Sequence, residues 1–285
     1  MRDILKENWL FHYSNSQGIK GILDEGVFWA TDANYLNDYK EIQLGISYAN
    51  GWLEKNKTSI EQEVATKLKL NFNPNPGSQS GQRMFVCSFS TEKDSLSQWR
   101  AYGKGGGYAI GFHHEHLERK VTQLGLRMEK CVYKHDFENN PVEEYLTKLL
   151  NENFFENFND KKLNIVCMGV MQKSIILKGE AFQEELEWRV FPNWDFGIEF
   201  QREQFFRIRE GVFVPYVKFN LFPTNEEEKY IQTDKDSKCP VLRIMVGPTP
   251  HKTLASDGLR KMLRDNQTKY IFLSPEESKV SFRDW

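Results

Sequence analysis

A chain of 285 residues is long enough to bury a substantial core, either as one domain or as one domain with an insertion. With 39% hydrophobic and 27% charged residues, and 21 Phe and 7 Trp carrying much of the apolar content, the composition is globular and excludes a disordered chain. The formal net charge of -2, from 38 Lys and Arg against 40 Asp and Glu, excludes a global positive field for holding a polyanion, so a nucleic acid would need a local patch.

Met1 to Asn8 is polar and mixed in charge, without the apolar run of a secretory signal. No stretch reaches the roughly 20 apolar residues of a membrane helix; Leu163 to Leu177 comes nearest and is interrupted by Gln172, Lys173 and Ser174. A cytoplasmic protein with no membrane partner is the expectation. Cys87, Cys131, Cys167 and Cys239 occur singly, as reduced buried thiols do, and not in the close pairs of a zinc knuckle or redox dithiol.

The aromatic run Trp9 to Tyr13 predicts a first strand. Ser16 is placed to cap a helix over about Gln17 to Glu25, with Ile19, Ile22 and Leu23 on one face and Gly26 as the C-terminal cap. Val27 to Thr31 predicts the second strand. From about 37 to 70 the pattern is helical, through Ile42, Leu44, Ile46, Tyr48, Trp52 and Leu53, and predicts a helical insertion lying on the sheet. Asn73 to Gly81 is the strongest loop signal in the chain and reads as a loop, with a flap as an open alternative. Arg83 to Ser90 predicts a strand, Asp94 the cap of a short helix through Tyr102, and Gly107 to Phe112 another strand. A second helical region spans about 142–177. Short strands follow at Leu186 to Phe191, Val212 to Phe219, Val241 to Val246 and Lys269 to Leu273, with a helix near Leu254 to Arg264. Strands at both ends with helices between them predict an α+β fold within a single domain, 1–285.

Several motifs invite a chemical reading. The glycines of Gly103 to Gly111 match neither a P-loop nor a dinucleotide fingerprint, and read as a turn entering a strand or as a loop that lets a ligand approach the backbone. His113, His114 and His116 lack a clear third ligand beside the His113 and His116 pair, so a helix start is expected and no metal. Asn37-Asp38 with Glu41 reads as a helix cap or as three polar groups lining a site. Strand alternation from Glu185 to Phe191 would put Glu185, Glu187 and Arg189 on one face and Leu186, Trp188 and Val190 on the other, setting two carboxylates beside a guanidinium. Arg202, Arg207 and Arg209 with Phe205 and Phe206 read as an amphipathic strand or as a contact for nucleic acid.

The aromatic-His-Tyr-Ser run at Phe11-His12-Tyr13-Ser14, followed by a helix with paired isoleucines and Gly26, resembles the opening of ADP-ribosyltransferase-like proteins. The chain also resembles the bacterial family DUF2971 in ordered blocks. These are Leu10 to Ser14, Asn37-Asp38 with Glu41, Phe89-Ser90 with Leu96, Trp99 and Tyr102, Gly107 with Ile110-Gly111-Phe112, and Glu185, Glu187 and Arg189. The resemblance implies a mixed, mainly antiparallel sheet of ADP-ribosyltransferase-like type. It also implies NAD as substrate, with ADP-ribosyl transfer or NAD glycohydrolysis in bacterial defence or toxicity. It makes His12 the group that orients the nicotinamide ribose, with Tyr13 and Ser14 beside the cofactor. Trp99, Tyr102 or Tyr108 would grip the ring. Glu187 would face the growing positive charge, Glu185 would orient an acceptor of unassigned class, and Arg189 would hold a phosphate or balance the two acids. Two other functions remain open at this stage: a module that senses NAD or another nucleotide without turnover, and a metal-dependent nuclease using Asp38, Glu41, Glu185 and Glu187.

Overall fold

The computed structural model describes residues 9–36, 40–72, 83–103, 106–133, 140–193, 203–220, 241–265 and 274–281. The predicted loop at Asn73 to Gly81, the Asn37-Asp38 pair, Arg202, Cys239 and the strand predicted at Lys269 to Leu273 lie outside them. In chain order the strands are β1 (Trp9–Asn15), β2 (Val27–Asp32), β3 (Phe85–Ser90), β4 (Gly107–His113), β5 (Leu126–Lys130), β6 (Glu187–Pro192), β7 (Phe205–Arg209), β8 (Val212–Asn220), β9 (Val241–Val246) and β10 (Glu276–Glu277). The helices are α1 (Ser16–Glu25), α2 (Lys40–Lys55), α3 (Gln62–Asn71), α4 (Leu96–Tyr102), α5 (His114–Gln123), α6 (Pro141–Asn151), α7 (Asp160–Ser174) and α8 (Lys252–Asp265).

Local chemistry explains the main differences from the predicted elements. Helix α1 is capped by Asn15, whose side chain accepts from the Gly18 N–H at 2.9 Å, one residue before the expected Ser16. It ends as predicted at Gly26, in the left-handed region at φ 68°, with its N–H on the Ile22 carbonyl. Each long helical region is two helices. Asn56 turns its amide back onto the Trp52 carbonyl after α2. Between α6 and α7 the chain passes through left-handed Asn153 and Asn157, and Asn159 caps α7. Asp94 does not cap α4: Ser95 holds that position, and the Asp94 carboxylate accepts from the Trp99 indole at 2.7 Å and the Ser278 hydroxyl at 2.6 Å. Gly103 and Gly107 form a close backbone crossing, where a Cβ on Gly107 would lie 2.4 Å from the Gly103 Cα.

The fold is α+β around a mixed, mostly antiparallel open sheet. Its order is β10-β9-β4-β1-β3-β2-β8-β7, with β6 also on β3 and β5 on β6; β10 on β9 is parallel. One face packs Leu10, Phe28, Phe89, Ile110, Phe112 and Val190 against α1, α5 and α8. The other packs Met84, Val86 and Phe191 against α2, α3, α6 and α7, while Phe11, Tyr13 and Ala109 meet Trp99 of α4.

The sheet forks at β3. Strand β2 pairs with β3 only at Phe85 and Val86, and β1 only at Ser90, so the two part along the stretch between. Strand β1 continues with β4 and β2 with β8. Strand β6 meanwhile pairs with Cys87 to Ser90.

Candidate functional site

A cleft of about 770 Å³ opens at this fork. Its walls come from β1, α1, β2, β3, α4 and β7, together with Glu185 and Glu187 at the start of β6. The size falls within the roughly 300–1,000 Å³ usual for small-molecule sites.

His12 sits at the root of the fork. Its Nδ1 lies 2.9 Å from the Ser88 carbonyl oxygen. A carbonyl can only accept, so Nδ1 carries the proton and Nε2 is left as an acceptor in the neutral ring. Burial pulls the imidazole pKa below its ordinary value, the Ser88 bond opposes this, and the nearby Arg207 adds to the lowering. Phe28 and Phe89 pack on the ring at 6.1 and 5.6 Å.

The acid wall lies where β6 begins. Glu185 is not on the strand: it ends a 3-10 turn, Glu180–Glu185, and Leu186 follows in the left-handed region at φ 43°. A bulky residue seldom adopts that conformation, which costs about 1–3 kcal/mol. The turn is held by the Ser90 hydroxyl, which donates to the Glu185 carbonyl at 2.6 Å. The two carboxylates nevertheless converge, because the Lys178 ammonium donates to Glu185 at 2.5 Å and also to Glu187. Lys178 is fixed in turn by the Val132–Leu177 bridge, with its own N–H on the Val132 carbonyl.

Arg189 completes the network. Its Nε donates to Glu187 at 2.8 Å and its Nη2 to Glu41 at 3.1 Å, while Nη1 reaches Glu41 and the Ile175 carbonyl. Glu41, Lys178, Glu187 and Arg189 are all buried. Burial alone would raise the Glu187 pKa, but Arg189 and Lys178 override it and hold this carboxyl down at about 2. Glu185 and Glu41 are instead raised, because burial outweighs Lys178 in the one and Arg189 in the other. Tyr102 borders this wall and is pushed up to about 12 by burial and by the acids Glu187 and Glu185.

The opposite wall is basic. Arg207 and Arg209 of β7 line it with Trp29, Thr31 and Tyr216. Arg207 donates to the Thr31 hydroxyl at 2.7 Å and stands 5.9 Å from the Tyr216 ring. It forms no salt bridge with a carboxylate among the described residues.

Of the predicted site residues, His12, Tyr13, Ser14, Tyr102, Glu185 and Glu187 line this one cleft. They do so from different faces. Register pairs Phe11 with Ser90 and Ser90 with Glu187, so Glu187 shares the Phe11 face and His12 projects from the other. The Tyr13 hydroxyl is engaged, donating to the Glu92 carbonyl at 2.6 Å. Trp99 and Tyr108 lie outside the lining. Trp99 is 1% exposed, packed edge-on against Tyr13 at 4.6 Å, and cannot present its face to a ligand; Tyr108 packs on the main core. Arg189 also lies outside the lining and balances Glu187 and Glu41. Glu41, Glu185 and Glu187 do approach one another, but around the ammonium of Lys178 and the guanidinium of Arg189. No group of three His, Cys, Asp or Glu among the described residues is arranged to hold a metal ion. Nor is any described helix long and apolar enough to cross a membrane. Lys178 and Ser88 gave no signal in sequence, being a lone lysine after Ile175-Ile176-Leu177 and a serine inside a strand.

Residues 98–190 match the family model described as Protein of unknown function (DUF2971), which shows the family resemblance over that region. No curated protein and no solved structure matches the chain. The matched region contains Tyr102, Lys178, Glu185, Glu187 and Arg189, and stops short of His12, Glu41 and Arg207.

Proposed function

We propose that this chain, whose DUF2971 region runs from α4 to β6, binds NAD in the forked cleft and breaks the bond between nicotinamide and ribose, passing ADP-ribose to an acceptor or to water. The observation that carries this reading is the polarity of the cleft. Glu185 and Glu187 lie at one wall, Arg207 and Arg209 at the other, and the neutral His12 at the root between them. NAD has a matching polarity, with a cationic pyridinium at one end and an anionic diphosphate next to it. The forked, mostly antiparallel sheet with a strand histidine at its root also suits an ADP-ribosyltransferase-like fold.

In this reading the C1′–N bond breaks heterolytically and its electron pair leaves with nicotinamide. Positive charge then develops on the ribose, and a carboxylate locked in its ionised form stabilises it without reorganising. Glu187 suits that task, because Lys178 and Arg189 keep it charged and immobile. Glu185, half-buried and with its pKa raised, takes the proton from the incoming acceptor. His12 Nε2 accepts from a ribose hydroxyl, and the Tyr102 ring borders the nicotinamide.

Nicotinamide release from NAD, measured with purified protein, tests the proposal. Glu187→Gln is expected to slow release about 10²–10³-fold while NAD binding survives. Wild-type protein that neither binds millimolar NAD nor releases nicotinamide overturns it. One observation favours a second reading, NAD sensing without turnover: both Glu187 oxygens already accept from Lys178 or Arg189. Binding with no release would select that reading.

A further inference from the structure

We infer that Arg207, with Trp29 and Thr31, forms a diphosphate subsite in the basic wall of the cleft, one that accepts a nucleoside diphosphate. The inference rests on the reading above for the cleft being the ligand site, and it names the ligand group that this wall recognises.

Arg207, half-buried, differs from the two buried cations of the site. Lys178 and Arg189 are each closed by two carboxylates. Arg207 instead spends one Nη2 donor on the Thr31 hydroxyl, which fixes the plane of the guanidinium, and has no carboxylate partner among the described residues. Burial and the adjacent positive charge of Arg209 both oppose its ionisation. An arginine stays charged under such opposition, so a cation of this kind is stabilised by an anion delivered from outside. A planar guanidinium with donors to spare matches two phosphate oxygens at once.

Two further features point the same way. The Trp29 indole Nε1–H is buried and has no hydrogen-bond partner among the described residues, although Trp29 lines the cleft and stacks on Tyr216 at 4.9 Å. A buried unpaired donor is costly, and here it lies in the same wall as the open guanidinium. Phe206, next to Arg207 on the other face of edge strand β7 and also in the lining, is 59% exposed and offers a flat apolar surface suited to a base. The competing acid on this rim is Glu210, at the turn between β7 and β8, and it forms no ion pair with Arg207 among the described residues.

The test is calorimetric titration of ADP and of pyrophosphate into the full chain. Wild-type protein is expected to bind ADP, with affinity falling as salt is added. Arg207→Gln should weaken ADP binding by about tenfold or more, and Arg207→Lys should restore only part of it, since an ammonium has no planar fork. Thr31→Val, which leaves the arginine but frees its plane, should weaken binding a few-fold, about the loss of one hydrogen bond. Phe206→Ser should reduce affinity for ADP and leave pyrophosphate unchanged. ADP binding that is absent at millimolar concentration, or unchanged in Arg207→Gln, overturns the inference; equal affinity for ADP and pyrophosphate overturns its nucleoside part. ADP binding lost in Arg207→Gln alongside no nicotinamide release by wild type would leave this subsite standing and remove only the cleavage reading.

Discussion

The two walls of the cleft hold their charges in opposite ways. In the acid wall, three carboxylates and two cations saturate one another in the interior, and Glu41 on α2, Lys178 after α7 and Arg189 on β6 tie the helical layer to the sheet. In the basic wall, Arg207 sits on a strand at the end of the sheet, held among the described residues by the Thr31 hydroxyl and the Tyr216 ring and by no carboxylate. A closed buried network makes architecture, because removing any member strands its partners. An open charge contributes little to folding and remains free to recognise a ligand.

The largest effect that would test this contrast is on the acid wall. Arg189→Met should lower the unfolding free energy by about 3–5 kcal/mol in urea titration, since Glu41 and Glu187 would be left buried without their shared cation. A loss below about 1 kcal/mol, the range of exposed pairs, would show the network to be ornamental.

A smaller effect concerns pH. Glu187 has a folded pKa of about 2, below the ordinary glutamate value of 4.5, because Arg189 and Lys178 override the effect of burial. Its contribution to stability is therefore fully present above 4.5 and is lost as pH falls from there towards 2. The stability gap between wild type and Glu187→Gln should narrow across that window when followed by denaturation at successive pH values. A gap that widens on acidification would mean that the carboxyl is protonated in the native state.

The smallest effect belongs to the basic wall. Arg207→Gln should change stability by no more than about 1 kcal/mol, roughly one hydrogen bond, even while it weakens ADP binding. A thermal melt that collapses in this variant would move Arg207 from recognition into the architecture.

Local pattern made much of the fold legible. Paired isoleucines and Gly26 mark α1, aromatic runs mark β1 and β3, and the apolar periodicity places the helices of residues 40–71 and 141–174. What failed locally were single polar side chains: Asn153, Asn157 and Asn159 divide a region that apolar spacing alone reads as continuous. The candidate site was legible only in part. His12, Glu185 and Glu187 stand out as chemistry-bearing types in strand-like runs, yet alternation carries the strand back to Glu185, whereas left-handed Leu186 breaks it before Glu187. Trp99 and Tyr108 qualify as ring platforms by type, but Trp99 is buried in the folded chain and half-buried Tyr108 packs on the main core outside the cleft lining.

The sequence by itself determined the α+β class, the order of most elements and the family resemblance now matched over residues 98–190, because periodicity and capping act over a few residues. Only tertiary structure decided that β1 and β2 part at β3, that Lys178 closes on two carboxylates, and that Arg207 faces the same cleft without a salt bridge among the described residues. Those relations join residues up to 176 positions apart, as Arg207 and Thr31 are, and no local pattern encodes which distant charge will be paired and which left open.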